Sequence, residues 1–591
     1  MGTIYLRPTS ILQALIFPRT GEYPHRSVSR IAALLIALLP LAALTAAPRA
    51  RAQDAAASSG YAVRGTVTNA VSNQPVARAL VALDQDEAML TDSNGQFSFD
   101  NVAAGSYSIS VNKPGYRGHG GMMFGVIRVA GRGVPLQPEP PVRIQVGPDM
   151  PALTLSITPL ATITGHVTLS TADPADGIRV QVYARRLQNG HPHWTVAGEA
   201  RTRSDGSFRI ADLEPGTYMV STMASLDRPG QAFSNDSHVA IWGYPSLYYP
   251  GTTDINAAGV LNVGAGQQAE ADLTLVRQQF FPVVALVHSG SDVPANFEIL
   301  ESGGRQTGLA ASWNRREDVV RAAVPNGTWT MEAHAYGRTM EWGSTTFQVN
   351  GAPTTLAINV QSVPRIPVIV HREFLASADG SQPQNAGLGV NLNLVSADAM
   401  SDNFGGGGLM RNENPDGSVD WELNVNEPGR YWIQAQAWPP GYVSAVTSGG
   451  VDLGSNPLLI IPGSNPAPIE VTLRNDGGTI DGEIADQTPG SSAGGTPAPG
   501  ELAQVWIYAI PLFATASGLP QGYAQQNRQF TIPNLAPGTY RVVACDAPQE
   551  IDFHSPDGLA PWAGKGETVT VDAGGTASVD LDVIHVIGET Q

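Results

Sequence analysis

Apolar and polar positions alternate along this chain in short runs, and turn residues separate the runs at a recurring spacing. The pattern is sharpest from Asp205 to Val220. There Asp205-Gly206 is followed by Phe208 and Ile210 at period two, then Leu213, Pro215-Gly216, and finally Tyr218 and Val220. Period two marks a strand with one buried face. Asp-Gly suits the positive-φ position of a tight hairpin turn, and Pro-Gly fits a type II turn with its glycine at φ > 0. The spacing predicts turn, strand, turn, strand. It recurs from Gly95 through Phe97, Phe99, Val102 and Gly105 to Tyr107, and from Phe530 through Ile532, Leu535 and Pro537-Gly538 to Tyr540. Weaker copies run from Asp416-Gly417 to Tyr431 and from Pro325-Asn326-Gly327 to Trp329.

Each copy predicts one small sandwich, opened by an alternating strand such as Val63 to Thr68, Ile163 to Thr168 or Ile480 to Ile484. The expected boundaries are 60–158, 159–278 with an aromatic insertion, 279–360, 361–474 and 475–588; the third and fourth lack the glycine of the opening strand. Gly115 to Gly133 reads as a long loop, Pro489 to Gly500 as a flexible insertion, and the run from Gly564 to Val583 as a closing hairpin. No window past the first 52 residues supports a long amphipathic helix. The fold class expected is all-β, a tandem array of about five small antiparallel β-sandwich domains behind an N-terminal signal peptide.

Composition agrees. The 591 residues are 42% hydrophobic and 15% charged, with 64 Gly and 45 Pro, as many short strands joined by tight turns require. Residues 1–52 change the picture most. Arg26 and Arg30 precede an apolar run from Ile31 to Ala47, and Ala50-Arg51-Ala52 has the form of a signal-peptidase site. A retained membrane anchor is the competing reading, but the run is short and broken by Pro40. Residues 1–25 sit oddly ahead of such a signal and imply a start codon assigned upstream. After cleavage no membrane span remains, and the chain is expected in the periplasm, on the outer surface or secreted. The remainder holds 28 basic and 51 acidic residues, with Lys113 and Lys565 its only lysines. So negative a chain repels nucleic acid and anionic lipid.

Candidate chemistry is sparse. Cys545 is the sole cysteine and falls on a predicted strand, where a buried, inert thiol is expected. The 11 His show no zincin or carboxypeptidase spacing; the close pair in His191-Pro192-His193-Trp194 is expected on a surface loop. No Gly-x-Ser-x-Gly elbow occurs, and Asp92-x-Asn94-Gly95 is a turn rather than a calcium loop. No catalytic residue, metal ligand or cofactor is assigned. Phe97, Phe208, Phe530, Tyr107, Tyr218 and Tyr540 recur with the fold and are expected in the cores, the Tyr hydroxyls bonded to backbone. Trp242, Tyr244, Tyr248 and Tyr249 lie outside the repeat and form the densest aromatic cluster. They are the candidate ligand-binding residues, offering flat apolar faces to a sugar or protein; the competing reading is a lid over the second sandwich.

The Gly65 and Gly165 openings, Asn94-Gly95-x-Phe97, Asp205-Gly206-x-Phe208, Gly105-x-Tyr107, Pro215-Gly216-x-Tyr218 and Pro537-Gly538-x-Tyr540 resemble the carboxypeptidase regulatory-like domain. That family has a transthyretin-like sandwich grouped with carbohydrate-binding-like folds. The resemblance covers the first, second and fifth sandwiches best, and Tyr248 to Thr252 with Gly564 to Glu567 resembles exported bacterial proteins built from such domains. In metallocarboxypeptidases this domain accompanies a catalytic one, for which the five sandwiches leave no room. The resemblance implies a non-catalytic exported protein that binds or scaffolds at the cell envelope, with glycan the preferred partner. An envelope protein docking on a sheet edge is the alternative, and a hydrolase with an unrecognised acidic site the remote one.

Overall fold

The computed structural model describes residues 60–584 except 85–86, 119–125, 130–131, 136–141, 149, 234–239, 290–295, 302, 315, 337–339, 376–388, 401–406, 414–418, 440, 486–504, 525–527 and 547. The leader, Asp416-Gly417 and the insertion at 489–500 lie outside the described residues. The fold lies in the unit Ser59–Gln591.

Five sandwiches follow one another with one pairing scheme. Their opening strands are Tyr61–Asn69, Ala161–Leu169, Gln278–Ser289, Ile366–Glu373 and Gly478–Ile484. Each pairs antiparallel with a middle strand: Gln96–Val102, Ser207–Leu213, Val319–Val324, Val419–Val425 or Gln529–Leu535. Each also pairs parallel with the closing segment of its own sandwich, as Gly65 does with Leu153 and Gly482 with Val579. The facing sheet is mainly antiparallel and centred on pairs such as Arg179–Gln188 with Gly216–Thr222, or Trp506–Pro511 with Gly538–Cys545; in the fifth sandwich a short parallel pair, Ala544 with Val583, is added to it. Each sandwich encloses its own apolar core. The third and fourth follow the scheme although their sequence signals are weak. Among the described residues no helix is long and apolar enough to cross a membrane.

The repeated residues have identifiable jobs. Gly65, Gly165 and Gly482 lie directly opposite Phe97, Phe208 and Phe530 across the ladder. A Cβ on those glycines would meet the Phe rings at 2.5, 2.8 and 2.4 Å, so the missing side chain is the space the ring fills. Tyr540 donates its hydroxyl to the Ala536 carbonyl at 2.7 Å and Tyr431 to Glu427 at 2.9 Å; Tyr218 bonds Glu214 in the same way, and Trp329 uses its Nε1 on Pro325 at 3.0 Å.

Several local expectations change. The Asp205-Gly206 turn, with Gly206 at φ 77°, joins no hairpin: the strand before it pairs with Arg179–Gln188 and the strand after it with Ala161–Leu169. The chain crosses between sheets there and crosses back at Glu214-Pro215, which puts Phe208 and Tyr218 in facing sheets around one core. Gly216 and Gly538 are not at positive φ; Asn101, Asp212 and Asn534, just upstream, take the left-handed conformation at φ 63°, 58° and 58°. Asn and Asp tolerate that region because their side chains bond locally. The expected closing hairpin is also a crossover, since Glu567–Val571 pairs with Gly538–Cys545 and Thr576–Leu581 with Gly478–Ile484. Within the expected long loop, Val126–Val129 and Arg132–Pro135 form a two-stranded ribbon.

The array doubles back on itself. Backbone bonds tie the second sandwich to the fourth, from Trp194 N–H to the Ala399 carbonyl at 2.8 Å, and the fourth to the fifth, from Ala435 to Ala516 at 2.9 Å. Leu187 N–H reaches the Glu550 carboxylate of the fifth sandwich at 3.2 Å across 363 residues of sequence.

Candidate functional site

The four aromatics singled out by sequence separate. Trp242 and Tyr244 lie on Ile241–Tyr244, which leaves the second sandwich and adds to the opening strand of the third, with Ile241 opposite Phe280. Trp242 is 37% exposed, but the Arg277 guanidinium lies 4.9 Å above its ring, held by Asp227. Tyr244 and Tyr249 are half-buried against the second core. Tyr248 is fully buried; its hydroxyl donates to Glu301 at 2.7 Å and its ring lies 4.8 Å from the Arg305 guanidinium. Arg305, 1% exposed, also donates to the Tyr183 hydroxyl at 2.9 Å and to the Thr222 carbonyl at 3.0 Å. A buried cation is tolerated only when paired and fully bonded, so this network locks the second sandwich to the third. Burial holds the Tyr248 phenol well above its ordinary range.

His191 and His193 are not on a surface loop. They lie on the strand His191–Arg201, 9% and 4% exposed, because two sandwiches distant in sequence close over them. The His191 ring is sandwiched between Trp432 of the fourth sandwich, at 4.3 Å, and His554 of the fifth, at 4.1 Å, within 6° and 5° of parallel. Gly190 permits this approach, since a Cβ there would meet Phe553 at 2.6 Å. Burial, then the neighbouring His554 and His193 rings, bring the His191 pKa down to about 3; burial also lowers those of His193 and His554.

The same junction borders a cleft of about 1320 Å³ lined by all but the third sandwich. One lip carries Arg185, which is exposed, and Arg186, paired with Glu214 at 2.9 Å. The other lip is the segment after Cys545. Tyr508 accepts from Gln549 N–H at 2.8 Å, and Ser555 caps Pro556–Leu559 by accepting from Gly558 N–H at 2.9 Å. Asp552 takes the Ser555 hydroxyl at 2.6 Å, which leaves Glu550 and Asp557 exposed at the rim. Ile551, Phe553 and Trp562 pack with Cys545 in a small core behind this lip. Burial pushes the Cys545 thiol up to about 12, so it stays a neutral thiol.

Sequence spacing also missed three exposed residues, His166, Glu270 and Asp272, whose ligand atoms lie within 4.8 Å of one another. The Asp272 carboxylate there accepts His166 N–H at 2.7 Å. Register, not spacing, brings them together, because the opening strand runs parallel to a segment about a hundred residues later.

Residues 62–140 match the carboxypeptidase regulatory-like domain, within the first sandwich. No curated protein matches the chain. Among solved structures the chain is similar to the Bacillus anthracis TIE protein at 11% identity and a TM-score of 0.16, covering 51% of this chain and 51% of that one. It thus spans about half the TIE protein's length. The Streptococcal ancillary pilin is matched at 10% identity and TM-score 0.19, over 51% of this chain and all of that one. The Bacillus cereus major pilin subunit BcpA is matched at 8% and 0.12, over 72% and 99%.

Proposed function

We propose that the chain is an exported, non-catalytic β-sandwich scaffold that binds glycan at the cell envelope, and that the cleft between its sandwiches is the binding site. Export rests on the apolar run from Ile31 to Ala47 and the Ala50-Arg51-Ala52 site. The observation that carries the binding reading is the cleft, where Arg185, Glu550 and Asp557 stand around apolar surface from Phe513 and Leu559. Sugars present hydroxyls that suit guanidinium and carboxylate groups, and C–H faces that suit aromatic and apolar walls. Trp242, the most exposed of the four insertion aromatics, is assigned a secondary contact. A glycan array with the full chain tests this reading. Binding that is lost in Arg185→Ala/Asp557→Ala and weakened in Trp242→Ala supports it; no glycan bound, or binding indifferent to the cleft pair, contradicts it. A protein partner is the second reading, favoured by Leu375 and Trp438, which expose large apolar surfaces on the fourth sandwich.

A further inference from the structure

We propose that the stack of His191 between Trp432 and His554 is an acid-released clasp, which holds the 549–562 segment of the fifth sandwich against the second and so sets the width of the cleft. Its effect on ligand rests on the reading of the cleft given above; the clasp itself does not.

The geometry joins three sandwiches through flat, uncharged rings. Two parallel imidazoles 4.1 Å apart attract while neutral and repel once both carry protons. His193 lies in the same buried patch. The Nε2 atoms of His193 and His554 have no hydrogen-bond partner in the protein, so a proton placed on either would be a buried charge without an acceptor.

The charged groups around the stack do not cancel this cost. On the fifth sandwich Asp552 favours the His554 cation, as does a hydrogen bond to the Asn189 backbone, yet burial outweighs both. Glu550 is engaged with Leu187 N–H. On the second sandwich Arg186 is held by Glu214, and on the fourth Arg430, two residues from Trp432, is held by Asp398 at 3.1 Å. Asp552 directs the first proton to His554, and that charge then faces the His191 ring.

The sign follows from linkage. His191 is held below its ordinary 6.5, so the closed junction binds fewer protons than the open one. Its contribution is complete above pH 6.5 and is lost progressively as pH falls from 6.5 toward 3. One other buried histidine stack, His334 on Trp342 at 4.8 Å, belongs to the third sandwich and lies outside both 549–562 and the His191 strand, so the core of the fifth sandwich outlasts the junction.

Hydrogen exchange on the wild-type full chain, without ligand, tests the clasp across pH 7.5 to 4 after correction for intrinsic rates. The expected result is loss of protection in 549–562 and in the His191 strand, while Gly538–Cys545 keeps its own. Scattering should show the same particle expanding. In His191→Phe/His554→Phe, which keeps flat rings without protons, the transition should vanish or move to lower pH. Unchanged protection of 549–562 at pH 4, or its loss together with Gly538–Cys545, overturns the proposal. So does an identical transition in a folded double variant. If that variant does not fold, the wild-type exchange pattern still decides. Failure to bind glycan at pH 7.5 bears only on the cleft reading.

Discussion

At the scale of single residues, the repeat is a pair of complementary absences and fillings. Gly165 leaves the room that Phe208 occupies, and a Cβ there would also lie 2.2 Å from the Ala271 carbonyl. Gly165→Ala should therefore destabilise the second sandwich by about 1–3 kcal/mol, the usual cost of overpacking, read as a lower denaturant midpoint with the other cores unchanged. The Gly–Phe–Tyr spacing was legible because it is periodic and local. The left-handed residues were not, because Pro-Gly points to Gly216 and Gly538 while Asn101, Asp212 and Asn534 carry the conformation. The recurring Asn/Asp one position before Val102, Leu213 and Leu535 was the available signal.

At the scale of elements, the decisive facts are which sheet a strand joins and what it meets there. Aromatic density marked the insertion around Trp242 as unusual, but periodicity cannot say that Ile241–Tyr244 completes the sheet of the following sandwich. Nor can it say that Tyr248 is drawn inside by Arg305, 57 residues on. Arg305→Ala would leave the largely but not fully buried Glu301 without its cation and the Tyr183 hydroxyl without the guanidinium donor. It should cost about 3–5 kcal/mol, as breaking a buried pair from one side usually does. Calorimetry should show the second and third sandwiches melting early and the fifth unaffected. The burial of His191 and His193 is hidden from sequence for the same reason as that of the insertion: the rings that cover His191 lie more than two hundred positions away.

At the scale of the whole molecule, five dry cores were readable from sequence, but their mutual arrangement was not. A string of separate beads would leave Leu187, His191 and Trp194 in water; instead the second sandwich is the hub on which the fourth and fifth close. The joint between the third and fourth sandwiches carries the opposite pH dependence to the histidine stack. Burial, then Glu427 and Glu298, raise the Glu332 carboxyl from 4.5 to about 8. Its neutral form is the one the fold accepts, so stability is complete below pH 4.5 and falls as pH rises toward 8. Glu332→Gln should leave acid stability unchanged and add on the order of a few kcal/mol above pH 8, checked by denaturant midpoints across pH.

The doubling back of the array is tested most directly by a distance across the cleft. Cysteines placed at the exposed positions Arg185 and Asp557 can be spin-labelled selectively, because native Cys545 is fully buried. At pH 7.5 in the full chain, one narrow, short-distance population that dilution does not change is expected. A broad distribution reaching long distances, as flexibly linked beads would give, contradicts it.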